Sequence, residues 1–213
     1  SRKSCNESEG LEVRVSGLSR LLIESLEPLK EKIKDHKGVS GLKDEIINRV
    51  EERFTRESLL EKADQGYRDA QYEYARMCYE GKGGSKDFFA ARRFFKLAAG
   101  QDHAKSQLKY AYMCLDGLAG DQSFLIFKSY LQKAANNGNS IAQYEYALMY
   151  YKGDLVEKDF TVSRKYYKLA ADQGHREAQF EYAEFYGGRG SGCCYDYDVS
   201  KKYYMLAAEQ GHP

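Results

Sequence analysis

Apolar and polar positions in this chain follow a helical spacing, and the whole pattern then returns every 36 residues. The string Ala70-Gln71-Tyr72-Glu73-Tyr74-Ala75 recurs at Ser106–Ala111, Ala142–Ala147 and Ala178–Ala183. Ala63, Ala99, Ala135 and Ala171 keep the same step, and Ala208 arrives one residue late. On a wheel of about 100° per residue, Ala70, Tyr74, Met77 and Cys78 gather on one side of a first helix. A glycine-containing stretch ends that helix, and Asp87, Ser123, Asp159 and Asp196 stand where a side chain can cap a second one. The second helices carry a buried stripe: Ala91, Phe94 and Ala98; Phe127, Tyr130 and Ala134; Ser163, Tyr166 and Ala170; Ser200, Tyr203 and Ala207. They end at Gly66, Gly138, Gly174 and Gly211, with Asp102 once in the glycine's place, where a left-handed cap is expected. Ala75, Ala111, Ala147 and Ala183 sit beside the bulky stripe and predict close helix contacts.

Stacked helical hairpins present long surfaces rather than enclosed pockets, which turns the search for function toward binding. The order Ala-Gln, aromatic-rich first helix, glycine loop, Asp, aromatic second helix and Lys168-Leu-Ala-Ala-Asp-Gln-Gly-His175 resembles the Sel-one-like repeat, an αα-hairpin relative of the tetratricopeptide repeat. The likeness covers about 56–213. Tyr-Ala stands where the family commonly has Leu-Gly, and the loop after Leu115-Asp116-Gly117 is short. The resemblance implies an all-α, right-handed α-solenoid of stacked αα-hairpins with repeats at 67–102, 103–138, 139–174 and 175–211. It also implies a protein-protein adaptor or scaffold, with no catalysis and no cofactor.

The N-terminal quarter departs from the repeat. Leu42, Ile46, Val50 and Phe54 lead into Leu59, Leu60 and Ala63, so a helix from about Leu42 to Gln65 is expected to act as the last helix of an incomplete first repeat. Segment 18–55 reads as a helical cap and 1–17 as a disordered or irregular lead. Leu22, Leu26, Leu29 and Ile33 allow two readings, a packed end cap and a weak dimer through a short coiled coil.

Charge and cysteine usage narrow the classes. Lys plus Arg is 33 against 32 for Asp plus Glu, so no basic field gathers phosphates, and nucleic acid is not an expected partner. No apolar run approaches the roughly 18 residues of a membrane span, and no secretory signal opens the chain. The chain opens without Met and stops where another repeat would begin, and reads as a piece of a longer protein. Cys78 and Cys114 are equivalent positions that adjacent repeats hold about 10 Å apart, beyond the roughly 7 Å Cα limit of a disulfide. Some secreted bacterial members of the family pin each hairpin with a cysteine pair. None stands in any hairpin here, which favours a cytoplasmic setting, the alternative being the endoplasmic reticulum lumen if a signal has been removed.

Chemistry-bearing residues are scattered. Cys193-Cys194 lie in a glycine-rich loop and read as exposed loop residues rather than a metal or redox site. His103, His175 and His212 align with Tyr67 and Asn139 in the turn after the glycine position and read as turn and cap residues, too far apart to share a metal. The loop Gly81-Lys82-Gly83-Gly84-Ser85-Lys86 lacks the spacing and the preceding strand of a phosphate-binding loop. Opposite the first-helix core stripe the wheel places Tyr72, Arg76 and Tyr79, then Leu108, Tyr112 and Leu115, then Tyr144, Leu148 and Tyr151, then Phe180 and Glu184. If first helices line the inner curve, these residues form an aromatic and aliphatic groove for a peptide or helix of another protein. An architectural spacer or dimerisation role is the second reading, favoured if neighbouring repeats cover the groove tyrosines, and a hydrolase is a distant third.

Overall fold

A computed structural model describes residues 40–153, 155–188 and 195–211, with side chains from residue 48 onward. The described residues form nine α-helices and no strand: α1 (Ser40–Asp64), α2 (Arg68–Glu80), α3 (Phe88–Gly100), α4 (Ala104–Leu115), α5 (Phe124–Asn136), α6 (Ser140–Lys152), α7 (Phe160–Asp172), α8 (Arg176–Tyr186) and α9 (Tyr197–Glu209). Each helix packs chiefly on its neighbours along the chain, as expected of an all-α solenoid of αα-hairpins. α1 runs through the boundary drawn at residue 55 and packs on α2 as a second helix would. The segments read as a coiled coil and as an irregular lead, together with Cys193, Cys194 and His212, lie outside the described residues.

Each hairpin is assembled by the same few contacts. Ala75, Ala111, Ala147 and Ala183 are fully buried, as the small-residue pattern requires. One residue earlier a tyrosine meets the second helix edge-on: Tyr74 on Phe94, Tyr110 on Tyr130, Tyr146 on Tyr166 and Tyr182 on Tyr203, all with centroids 4.7–4.8 Å apart. Second helices begin at Asp87, Ser123, Asp159 and Asp196, whose side chains accept from backbone N–H groups in the first turn. They close through left-handed residues at Gly66, Asp102, Gly138, Gly174 and Gly211.

Neighbouring repeats are joined by a polar ladder built on the Gln of the Ala-Gln signature. Gln71, Gln107, Gln143 and Gln179 are buried, and each Nε2 donates to a carbonyl at the end of the preceding second helix: Ala63, Ala99, Ala135 and Ala171. Each Gln Oε1 in turn accepts from the end of its own second helix, from Gln101, Asn137, Gln173 and Gln210. A buried amide is tolerable only when so satisfied, and here its two ends fix the stacking of one repeat on the last.

The glycine loop between α2 and α3 is held against α1. The Arg56 guanidinium of α1 donates to the carbonyls of Lys82 and Ser85 and approaches Cys78 Sγ at 3.2 Å. One period on, Arg92 of α3 donates to the Leu118 carbonyl and approaches Cys114 Sγ at 3.6 Å. Gly83 has φ +68°, and a Cβ there would lie 2.3 Å from the Glu52 carbonyl oxygen, so the loop closes onto α1 only because this residue lacks a side chain. Cys78 and Cys114 are buried free thiols, and burial pushes the Cys78 thiol up.

Candidate protein-binding face

The first helices α2, α4, α6 and α8 bring the eleven groove candidates to one face, but not as free side chains. The wheel set them opposite the hairpin core; the structure packs most of them half-buried against second helices and the next repeat. Tyr72 lies 5.9 Å from Phe95 and 4.7 Å from the His103 ring, and Tyr144 lies 5.7 Å from Tyr167 and stacks on His175 at 4.8 Å and 17°. Phe180 meets Tyr204 edge-on, and Leu108 is buried outright, which removes it from any accessible surface. Tyr79 leans on Phe88, Tyr112 on Phe127, and Tyr151 on Phe160 and on Phe185 of the following repeat. Leu115 and Leu148 rest partly buried against the same core. The reason for the difference is geometric: a wheel treats one helix at a time, whereas a second helix and the next hairpin flank each first helix from both sides.

The polar candidates are engaged as well. Arg76 bridges Glu73 at 2.7 Å and Glu80 at 3.2 Å on its own helix. Glu184 accepts from the Tyr204 hydroxyl. His103 and His175 do cap their helices, each Nδ1 accepting from a backbone N–H, of Ser106 and Ala178; burial lowers both imidazole pKa values. Asn139 fills the same place for α6, and Tyr67 makes no cap bond for α2.

Two further residues belong to this face that the sequence reading passed over. Glu145, next to Tyr144 on α6, is half-buried; burial raises its carboxyl pKa against the opposing pull of a hydrogen bond with the Tyr112 hydroxyl. Tyr112 is itself pushed up by burial and then by that bond. Glu181 holds the equivalent place on α8 and, with Glu177 and Glu145, adds to the burial that raises Tyr144. The alternation Glu73, Lys109, Glu145, Glu181 beside the aromatic position was the available signal. Among the described residues no cluster of His, Cys, Asp and Glu is placed to hold a metal, and no helix is long and apolar enough to cross a membrane. What this face offers chemically is a strip of half-covered rings and carboxylates.

An all-α array of hairpins with such a strip is a repeat scaffold in form. The Sel1 repeat model matches residues 68–103, 104–139, 140–175 and 176–212, well over half of the chain, and the protein belongs to the Sel1 repeat family. Among solved structures it is similar to a Sel1 repeat protein from Oxalobacter formigenes, with 27% identity and a TM-score of 0.72 over 76% of this chain and 46% of that one. It also shares the fold of a protective antigen present in uropathogenic Escherichia coli strains displaying an SLR fold, at 23% identity and a TM-score of 0.67 over 75% of this chain and 34% of that one. The chain thus spans less than half of either relative. No curated protein matches it.

Proposed function

We propose that this array is a non-catalytic scaffold or adaptor that holds a peptide or helix of another protein along the face of α2, α4, α6 and α8. The observation that carries the reading is the run of partly exposed apolar and aromatic side chains, Tyr79, Tyr112, Leu148 and Tyr151, supplied by successive first helices. A half-covered ring presents a rigid, pre-positioned contact, and such residues supply much of the energy of protein interfaces. The architectural reading keeps a specific support: Tyr72 and Tyr144 are taken up by the capping histidines of the next repeat, a stacking duty.

The test leaves Tyr151 intact, since its ring packs between Phe160 and Phe185. Tyr112→Ala with Leu148→Ala should remove proteins recovered with the wild-type array from its native cell, by about a hundredfold in affinity if each anchor is worth some 1.4 kcal/mol. The control changes Phe89, Leu125 and Thr161 to Ala, exposed residues at the starts of three second helices, and should recover the same partners. Retained partners with the first variant, its helicity being normal by circular dichroism, would leave the architectural role in front.

A further inference from the structure

We propose that the partner is held in extended form where it crosses α6 and α7, with one of its main-chain carbonyls accepting a hydrogen bond from the buried hydroxyl of Tyr167; the inference rests on the binding reading above. Among the described residues two buried side-chain hydroxyls, those of Ser163 and Tyr167, have no hydrogen-bond partner. Ser163 needs none from outside: the equivalent Ser200 donates to the Ala183 carbonyl, and Ala147 stands in that place one repeat earlier. Tyr167 is different. Its ring is fully buried among Tyr144, Tyr151 and Phe185, with centroids 5.7, 6.4 and 6.0 Å away, and leaving a hydroxyl unpaired in such surroundings costs stability.

The fold does not ask for that hydroxyl. The equivalent second-helix positions hold Phe95 and Leu131, both buried and apolar, and then Tyr204. Tyr204 shows where a tyrosine hydroxyl at this place points, since it donates to Glu184 of α8. Glu184 and Leu148 hold the same register on their first helices, so the Tyr167 hydroxyl is directed at Leu148, whose side chain has no oxygen to offer. Leu148 is half-buried and belongs to the candidate face. Burial raises the pKa of Tyr167, with smaller contributions from Glu181 of α8 and from Tyr144 and Tyr151 of α6, so the group remains a neutral donor.

A buried donor beneath a strip of half-covered rings selects an uncharged acceptor, because a carboxylate would have to be dehydrated to reach it. The carbonyls of a helix are bonded within it except in its last turn, whereas those of an extended segment stay open along its length. An extended segment therefore supplies the acceptor, with its side chains resting on the exposed parts of Tyr144 and Tyr151. Binding turns Leu148 aside by a rotamer change, and the new bond displaces none that the Tyr167 hydroxyl makes within the protein.

The experiment compares wild type, Tyr167→Phe, and Tyr112→Ala with Leu148→Ala, all as the intact chain. Thermal melts come first. Tyr167→Phe should raise the melting temperature by about 2–4 °C, because it deletes an unsatisfied group and keeps the ring. An unchanged or lowered melt would show that the hydroxyl is already bonded inside the folded protein and would overturn the inference. A phage-displayed library of random dodecapeptides is then panned on wild type, and the recovered peptides, fluorescently labelled, are measured by polarisation. The stabilised Phe variant should bind them at least about fivefold more weakly. A scan of backbone esters through one such peptide should find a position whose weakened carbonyl costs affinity on wild type and nothing on Tyr167→Phe. Peptides lost with the Tyr112/Leu148 variant but bound equally by Tyr167→Phe, or coupling at no ester position, would overturn the inference and leave the binding face standing. No enriched peptide, or peptides indifferent to every variant, would overturn the face itself.

Discussion

His103 and His175 each do two things with one ring. Nδ1 accepts from a backbone N–H at the start of α4 or α8, and the ring face packs on Tyr72 or Tyr144 of the preceding repeat. The capping bond requires a lone pair on Nδ1 and is therefore a property of the neutral imidazole. Burial lowers both folded-state values below the ordinary 6.5. The unfolded chain then binds more protons than the native one just below that value, so the stability these rings contribute is complete above about pH 6.5 and is lost as pH falls through the lowered folded values. Replacing both by Asn, the residue that caps α6 from position 139, keeps a capping oxygen and removes the titration. The melting temperature of wild type should fall more between pH 7.5 and 5 than that of the double Asn variant; equal falls would show that these imidazoles do not couple to folding. Cap duty was legible in the sequence because the three histidines align with Asn139. The stacking was not, since it joins residues 31 apart through the geometry of two repeats.

At the scale of elements, the boundaries of helices were readable because the residues that make them are local: an Asp or Ser that caps, a glycine that turns left-handed. Asp102, with φ +58°, shows how far the pattern governs, since it adopts the glycine's conformation despite its side chain. The face composition was less readable, and Leu108 is the plain case: apolar and opposite the wheel's core stripe, yet buried by the neighbouring helices. The role of the first glycine loop also escaped, because its partner is the backbone of α1. Gly66 and Gly83 separate conformation from contact. A Cβ at Gly66, φ +93°, meets nothing within 4 Å, whereas one at Gly83 would strike the Glu52 carbonyl. Gly66→Ala should therefore cost about 1–2 kcal/mol, the ordinary penalty for a left-handed residue with a side chain, and Gly83→Ala distinctly more, by chemical denaturation. Equal losses would mean that α1 does not close on this loop.

For the whole molecule, a 36-residue period sufficed to define a solenoid, because each repeat buries its apolar face only against its neighbours. The Gln ladder was in plain view as the second letter of the signature, but its purpose lay in carbonyls eight residues earlier. The candidate face was legible as a set of positions, not as a chemistry. Its character emerges only when the burial of Leu108 and the half-burial of its tyrosines are known.

The guanidinium anchors between repeats make the array unequal in compliance along its length. In the loops that follow α2 and α4, Arg56 and Arg92 clamp carbonyls, while at the equivalent third position Lys128 lies over the Tyr150 ring, 5.5 Å from its centre. Each loop is closed by one backbone bond, from Asp87 to Cys78, from Ser123 to Cys114 and from Asp159 to Tyr150, at 2.9, 2.8 and 3.1 Å. A diffuse cation–ring attraction resists displacement less steeply than directed hydrogen bonds to carbonyls. The Asp159 amide should then exchange its hydrogen faster than those of Asp87 and Ser123, measured residue by residue by NMR, and equal rates would show uniform rigidity. An array built this way flexes like a jointed rod, stiff where guanidinium groups clamp the first two loops and more yielding where α6 meets α7, so that closing around a cargo strains the fewest bonds there.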